Sequence, residues 1–351
     1  MVPFAQARLG LDEARLGLVL LCMGFGSTGS MPLAGFLSHR YGSRNVMAVS
    51  GLLLCLSLPL LALAPSPVAL GAALVFFGGS AGVLDVAMNA HAVEVEKLHR
   101  RPVMSGFHGL YSVGGLVAPA GMTAFLATGL PLVGCAAAVA LLLGLVIATQ
   151  WPKLLAPTRD ETAVHRPLFA MPSTLTWLLG GLCFVVFLAE GAMLDWSAVF
   201  LRSERSFAIS GAGLGYAAFS VAMATGRLLG DRITFALGPV RVVRIGGLVA
   251  AAGLAVATVL PWPVTSLIGF VLVGLGASNI VPVLFSAAGR MPGASPGMSI
   301  ATVTALGYSG MLAGPAVIGL VAHASSLPLA LGGVAVLLTA VAACASITRR
   351  T

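Results

Sequence analysis

Eleven apolar segments of about 20 residues or more, separated by short polar breaks, constrain the fold of this chain more than any other feature. An α-helix needs about 20 residues to cross the ~30 Å hydrocarbon core of a bilayer. The alternation of a barrel strand is absent, and backbone groups in lipid must bond within their own segment, so each segment predicts a helix. The predicted fold class is an all-α membrane protein. The predicted spans are 16–37, 45–64, 67–93, 104–128, 131–151, 174–200, 209–230, 242–260, 263–288, 298–322 and 325–347.

Charged residues are too few to cover a water-soluble surface. They make up 9% of the 351 residues, whereas about a quarter is usual in soluble domains. This excludes a soluble enzyme, a disordered chain and a nucleic-acid binder. No cysteine or histidine spacing fits a metal site and no loop fits a nucleotide, so we expect neither a metal, nor another cofactor, nor enzymatic activity.

Lysine and arginine residues are distributed unequally between alternate loops. Of the 19, fifteen fall on one side of the predicted helices and four on the other. Cytoplasmic loops carry the excess of positive charge, so the side with fifteen predicts the cytoplasmic face and a cytoplasmic C-terminus. We expect His91, Glu94 and Glu96 to form a solvated or gate face at this end.

Like residues recur at nearly constant spacing, which predicts two homologous halves. The offsets are 192, 197 and 190 residues, in the pairs Arg40 and Arg232, Tyr111 and Tyr308, and Asn89 and Asn279. The span at 174–200 opens the second half and has no counterpart in the first. We therefore expect an N-terminal bundle at 1–151 that lacks most of the first of twelve ancestral helices, a linker at 152–173, and a six-helix bundle at 174–351.

Two short motifs carry a resemblance to a known family. Gly35, Arg40, Gly42 and Arg44 match the pattern G-x-x-x-D-R-x-G-R-R, with His39 in place of the aspartate. The sequence resembles the major facilitator superfamily of transporters. The resemblance implies two helical bundles and loops that stabilise one conformation. The residues expected in these gating loops are Gly35, Arg40, Gly42, Arg44, Gly226, Asp231 and Arg232.

A narrower resemblance rests on the runs 84–89 (LDVAMN), 105–115 (SGFHGLYSVGG) and 190–197 (EGAMLDWS). They are similar to the branch that holds fucose permeases and YbjJ-like inner-membrane proteins. In fucose permeases a substrate-linked acid matches Asp85, an asparagine matches Asn89 and a glutamine matches His108, while a further acid lies in the first helix. The resemblance implies a bacterial cytoplasmic (inner) membrane location.

Two carboxylates fall inside predicted spans, where an ionisable group is costly and normally faces a cavity or a partner. Asp85 is interpreted as a protonatable acid in a cavity, with Asn89 one helical turn later orienting substrate; the alternative is an ion pair with Arg40 or Arg44. Glu190 is interpreted as a second proton site or substrate contact, or else as a structural hydrogen bond across its bundle.

A polar stripe follows from helical spacing in the fourth predicted span, where His108, Tyr111 and Ser112 share a face. Such a stripe suits the lining of a water-filled cavity. His108 is a candidate proton or substrate contact, against a packing role for a hydrogen-bonded histidine. Asn279 and Tyr308 are candidate cavity residues of the second half, by the repeat.

These features together predict a secondary active transporter of a small polar organic solute, sugar-like by the resemblance. It would be coupled to protons and work by alternating access. Two alternatives remain: a proton-antiport exporter of drugs or other amphiphiles, and a membrane sensor or scaffold that transports nothing. The expected partners are the solute, protons and the lipid bilayer, with no nucleic acid. The sequence does not predict an oligomeric state.

Overall fold

The computed structural model describes residues 2–156, 172–208, 211–291 and 296–349, which fold into helices without any β-strand. Short 3₁₀ segments follow α6 and α13. The α-helices are α1 (Val2–Leu9), α2 (Glu13–Tyr41), α3 (Ser43–Leu63), α4 (Pro67–His99), α5 (Met104–Ala127), α6 (Leu132–Gln150), α7 (Thr174–Arg205), α8 (Leu214–Leu237), α9 (Pro239–Val259), α10 (Pro263–Ala277), α11 (Ile280–Gly289), α12 (Pro296–Ala324) and α13 (Leu327–Ala343).

Ten helical segments of the described chain are long and apolar enough to cross a membrane. The remaining predicted span, 209–230, corresponds to α8, whose 24 residues include three charged side chains that lower its hydropathy. One of the ten is built from α10 and α11 together, interrupted at Ser278 and Asn279. The predicted all-α membrane fold is confirmed.

The predicted gating loops are largely helical, which corrects the sequence-based placement. α2 continues to Tyr41 and α8 to Leu237, and the chain reverses at Gly42 and Gly238, where φ is 81° and 77°. Glycine adopts such positive φ values at no steric cost, so a single residue completes each turn. Both α2 and α8 extend past their apolar segments through turns that contain charged residues. The predicted loop residues that lie within helices are Gly35, Arg40, Arg44, Gly226, Asp231 and Arg232.

The chain divides into two compact units. The first combines Met1–His91, Leu116–Met171 and Ser295–Ala301, and the second combines Ala92–Gly115, Pro172–Ala294 and Thr302–Thr351. α4 and α5 thus contribute to both. The predicted bundles at 1–151 and 174–351 stay a prediction, and most of the predicted linker at 152–173 lies outside the described residues.

Within the first unit, α2 and α4 approach closely enough that glycine is required along the seam. A Cβ atom at Gly26, Gly78 or Gly82 would overlap backbone of the facing helix. The hydroxyl of Ser30 on α2 donates to the Gly79 carbonyl of α4 at 3.0 Å. Because lipid provides little hydrophobic drive between helices, such close backbone packing is what holds membrane helices together.

Each unit also contains an arginine that binds the C-terminal carbonyls of a helix. In the second unit, Arg205 Nη2 donates to the carbonyls of Ala257, Thr258 and Leu260 at 2.8–3.1 Å, where α9 ends. In the first unit, Arg8 donates to carbonyls at the end of α3. Helix C-termini leave carbonyls without intrahelical donors, so both arginines satisfy groups that would otherwise be unpaired.

Candidate functional site

A buried ion pair links α7 and α8 inside the second unit. Arg227 Nη2 lies 3.0 Å from Glu190 Oε1, and the side chains are 8% and 13% exposed. Arg227 Nη1 donates to the hydroxyl of Ser112 on α5 at 3.0 Å. Arg227 is one of the fifteen basic residues that the sequence assigns to the predicted cytoplasmic side, but it lies well inside α8 and is a partner of the predicted site residue Glu190.

The interruption between α10 and α11 supplies a further acceptor to Arg227. Proline has no backbone N–H, so Pro282 cannot donate to the carbonyl of Ser278 four residues earlier. That carbonyl lies 3.4 Å from Arg227 Nε. Asn279 is also tied to α8, because its Nδ2 donates to the Gly226 carbonyl at 3.0 Å. The guanidinium therefore contacts α5, α7 and the interrupted span from its own helix.

The polar stripe of α5 is divided by the structure. Ser112 binds Arg227, and its hydroxyl also contacts the His108 carbonyl at 3.1 Å. The ring of His108 lies 5.6 Å from that of Phe285, its Nε2 is buried without a hydrogen-bond partner among the described residues, and it lies within electrostatic reach of Arg227. Tyr111 is 65% exposed.

Tyr308, the repeat counterpart of Tyr111, lies on α12 with its ring centroid 5.4 Å from that of Phe187 on α7. This contact places it beside the helix that carries Glu190. The structure thus groups Glu190, His108 and Asn279 around Arg227, with Tyr308 against the same helix α7.

Asp85 and Asn89 lie together on α4 in the first unit. Asn89 Nδ2 donates to the Asp85 carbonyl at 2.8 Å and lies 3.4 Å from Asp85 Oδ1. Neither arginine of the alternative interpretation pairs with Asp85: Arg44 lies over the ring of Trp151 at 4.5 Å, and Arg40 lies over that of Tyr41. Within the described ranges, Asp85 forms no ion pair.

Two carboxylates cap the N-terminus of α5 within the second unit. Asp231 accepts the amides of Ser105 and Gly106 at 2.9 and 2.8 Å. Glu96 accepts the amides of Val103 and Met104, at 3.0 and 3.2 Å. The first amides of a helix lack intrahelical acceptors and carry positive partial charge, so both carboxylates stabilise this end.

Glu96 is fixed on its other side as well. Its Oε1 lies 2.5 Å from Arg290 Nη2, while Lys97 Nζ donates to the Gly289 carbonyl at 2.8 Å. The Glu96 side chain is only 2% exposed. Glu96 is therefore buried and not solvated, because the first amides of α5 and the Arg290 guanidinium bind it; the alternative of a gate face stays a prediction.

Comparison with known proteins gives the family. The model of the Major Facilitator Superfamily matches residues 1–315. The chain belongs to the major facilitator superfamily. An uncharacterised MFS-type transporter of Yersinia pestis is 49% identical over all of this chain and 91% of its own length. The membrane protein MosC of Rhizobium meliloti is 34% identical over 99% of this chain and 84% of its own length.

Solved structures show the same fold at low sequence identity. The transporter FucP in the outward conformation matches 99% of this chain and 93% of its own with a TM-score of 0.84 and 16% identity. The proton:xylose symporter XylE matches 97% and 89% with a TM-score of 0.73 and 15% identity. The chain is thus a multi-pass membrane transporter of this superfamily.

Two residues near the predicted site positions, Arg227 and Glu96, make contacts that the sequence does not predict. Arg227 follows Gly226 and precedes further charges, which is typical of a loop, but the predicted span 209–230 contains it and could have placed it within α8. Glu96 gave no comparable signal, because its acceptor role depends on where α5 begins.

Proposed function

We propose that this transporter is a proton-coupled secondary active transporter of a small polar organic solute, working by alternating access in a bacterial inner membrane with its C-terminus in the cytoplasm. FucP and XylE, which share its fold, are described as a fucose:proton and a proton:xylose symporter. The observation that carries the proposal is the carboxylate of Asp85 near the middle of α4, held by Asn89 and by no cation among the described residues.

An unpaired carboxylate at membrane depth suits a proton carrier. An ionised side chain near the bilayer centre costs at least about 2.5–3.5 kcal/mol. Proton binding removes the charge of Asp85 and with it this cost. The reorientation of the loaded transporter then becomes easier than that of the ionised form, which links the proton gradient to movement of the solute. Asn89 keeps its donor group beside the carboxylate and can orient both the acid and a polar solute.

The Glu190–Arg227 pair provides a second proton-exchanging position in this proposal. The pair carries no net charge while both groups are ionised. His108, beside Arg227, offers a ring nitrogen that has no hydrogen-bond partner in the described chain. These groups lie on three helices, α5, α7 and α8, so a proton or solute bound among them would change the contacts of each helix.

Vesicle transport with Asp85→Asn tests the proposal. Purified protein is reconstituted, an inward proton gradient is imposed, and uptake is screened with radiolabelled sugars, sugar acids and amphipathic drugs. We expect gradient-driven accumulation by the wild type and its loss in Asp85→Asn, with exchange between equal concentrations retained. Glu204→Gln, which alters an exposed acid at the end of α7, is the matched control. Full accumulation by Asp85→Asn contradicts the role of Asp85, and proton-driven drug efflux alone favours the exporter.

A further inference from the structure

We infer that Arg227 binds the carboxylate of an organic-anion substrate when Glu190 takes up a proton, so that the loaded pair, like the empty one, carries no net charge. The inference rests on the proposed function and narrows its solute class to small organic anions. It follows from the contacts of Arg227, from the charge that they leave unmatched, and from the groups beside them.

The first step is the way in which Arg227 is neutralised. Its side chain is buried within α8, and its described contacts are Glu190, the hydroxyl of Ser112 and the carbonyl of Ser278. Glu190 alone among the three carries a charge. An arginine guanidinium stays protonated in proteins, so at membrane depth its charge needs an anion nearby in every state of the transport cycle.

The second step is proton uptake by Glu190. Among the described residues, His108 on α5 and Cys183 on α7 are the titratable groups in electrostatic contact with the pair, and Tyr308 on α12 packs against Phe187 of α7. Neither His108, Cys183 nor Tyr308 is an anion at neutral pH in its ordinary form. Once Glu190 is neutral, the Arg227 charge is left with a hydroxyl and a carbonyl only. The state in which Glu190 is protonated and no anion is bound is therefore unfavourable.

The third step is the chemistry of the replacement. A guanidinium presents parallel N–H donors that match a carboxylate with two hydrogen bonds. Nη1 and Nη2, now directed at Ser112 and Glu190, are the donors that such a ligand would take. The unpartnered His108 Nε2 can bind a hydroxyl group nearby. A hydroxy-carboxylate such as a sugar acid meets both requirements, whereas a neutral sugar would leave Arg227 uncompensated.

Chemical rescue tests whether the site accepts an external carboxylate. Glu190→Gln removes the internal anion and leaves Arg227 in place. In detergent, we expect sodium acetate to raise the thermal midpoint of this variant by about 2 °C or more beyond the effect of equal sodium chloride. The wild type, Glu204→Gln and the double variant Glu190→Gln/Arg227→Gln should show no such difference. An equal response of Glu190→Gln and the double variant overturns the inference.

A second measurement uses the wild type and needs no foldable variant. For the solute found in the vesicle screen, we expect an organic anion that enters with two protons, one on Asp85 and one on Glu190, as measured from the pH change and the radiolabel taken up. Uptake of a neutral solute that rises with an inside-negative potential overturns the inference and leaves the proposed proton coupling intact. Absence of any proton-driven uptake, with acetate rescue present, counts against the proposed coupling and not against the anion site.

Discussion

The buried Arg227 of α8 is matched by one acid, Glu190, on the neighbouring helix α7. Removal of one partner of a buried ion pair leaves the other charge uncompensated. The two single removals are not equivalent. A glutamate can become neutral by taking up a proton, while the guanidinium of Arg227 cannot lose its charge in any accessible range.

We therefore expect Glu190→Gln to destabilise the protein more than Arg227→Gln at neutral pH, the former by about 3–5 kcal/mol. The double variant should lose less stability than the two single variants together, because it leaves no uncompensated charge. Thermal or chemical unfolding in detergent, at low carboxylate concentration, measures all three. Equal single losses that add fully in the double variant would show that the two side chains act independently.

The sequence predicted the acids of the site better than their partners. Asp85 and Glu190 stand out because each interrupts a long apolar run. Arg227 was misplaced because it sits among glycines and charges that are typical of a turn. Its partner Glu190 is 37 residues away on another helix, and Ser112 is 115 residues away. Hydropathy and spacing within one segment carry no information about such contacts.

At the scale of single helices, the start of α5 depends on side chains from two other helices. Asp231 and Glu96 together accept four amides there. Helix ends were the least predictable part of the fold for the same reason. The predicted span 67–93 ended before Glu94, but α4 runs to His99 because its last turns are held by contacts such as Glu96 with Arg290.

Asp231→Asn should loosen the first turn of α5. The amide side chain retains an acceptor oxygen but loses the charge that favours the helix N-terminus, a loss of about 1 kcal/mol. Hydrogen–deuterium exchange at Ser105 and Gly106 should be faster in the variant. Arg232→Gln, a charge change at the adjacent exposed position, is the control and should leave exchange there unaltered. Unchanged exchange in Asp231→Asn would show that the cap is dispensable.

The interrupted span offers a prediction of a different kind. Pro282→Ala restores a backbone N–H that competes with Arg227 for the Ser278 carbonyl. We expect the variant to be at least as stable as the wild type in thermal unfolding, yet slower in vesicle transport, because a continuous helix replaces the break. Pro263→Ala at the first residue of α10, where proline costs no hydrogen bond, is the control. Wild-type transport by Pro282→Ala contradicts a role for the break.

For the molecule as a whole, the predicted repeat implies an asymmetry between the halves when the helix starts at Met104 and Pro296 are aligned, an offset of 192 residues. His39 corresponds to Asp231, and Gly297 and Met298 correspond to Ser105 and Gly106. In the first unit the end of α2 also packs on the start of α12, where a Cβ at Gly35 would meet Met298. The start of α5 is thus capped by the carboxylate of Asp231, while a histidine stands at the position that the repeat aligns with Asp231.

His39→Asp should place a carboxylate at the position that the repeat aligns with Asp231. We expect a gain in stability of about 0.5–1 kcal/mol, slower exchange of the Gly297 and Met298 amides, and a lower transport rate if release of this contact belongs to the cycle. His39→Asn carries a similar acceptor without charge and should gain less. A destabilised His39→Asp with faster exchange would contradict the symmetry argument.

The membrane orientation is a further prediction for the whole chain. Without Arg227, which is buried in α8, fourteen basic residues still fall on the predicted cytoplasmic side against four on the other. A fluorescent protein fused to the C-terminus should therefore fluoresce, and an alkaline phosphatase fusion at the same point should be inactive. The reverse outcome would invert the assignment of both faces.

The helix count and the family could be predicted because long apolar runs and the repeated loop motif are properties of the sequence alone. The interruption of the ninth span at Ser278 and Asn279 could not, since both residues are compatible with a continuous helix and only their contacts with α8 favour the break.

Arg8 and Arg205 hold the ends of α3 and α9 through guanidinium groups and backbone carbonyls, none of which changes ionisation in the physiological range. The start of α5, in contrast, is held by carboxylates. Acidification can therefore weaken the carboxylate contacts at the start of α5, and it leaves the arginine–carbonyl contacts unchanged. A drop in pH therefore acts on the two kinds of contact differently. The carboxylate contacts at the start of α5 depend on pH, and the arginine–carbonyl contacts at the ends of α3 and α9 do not.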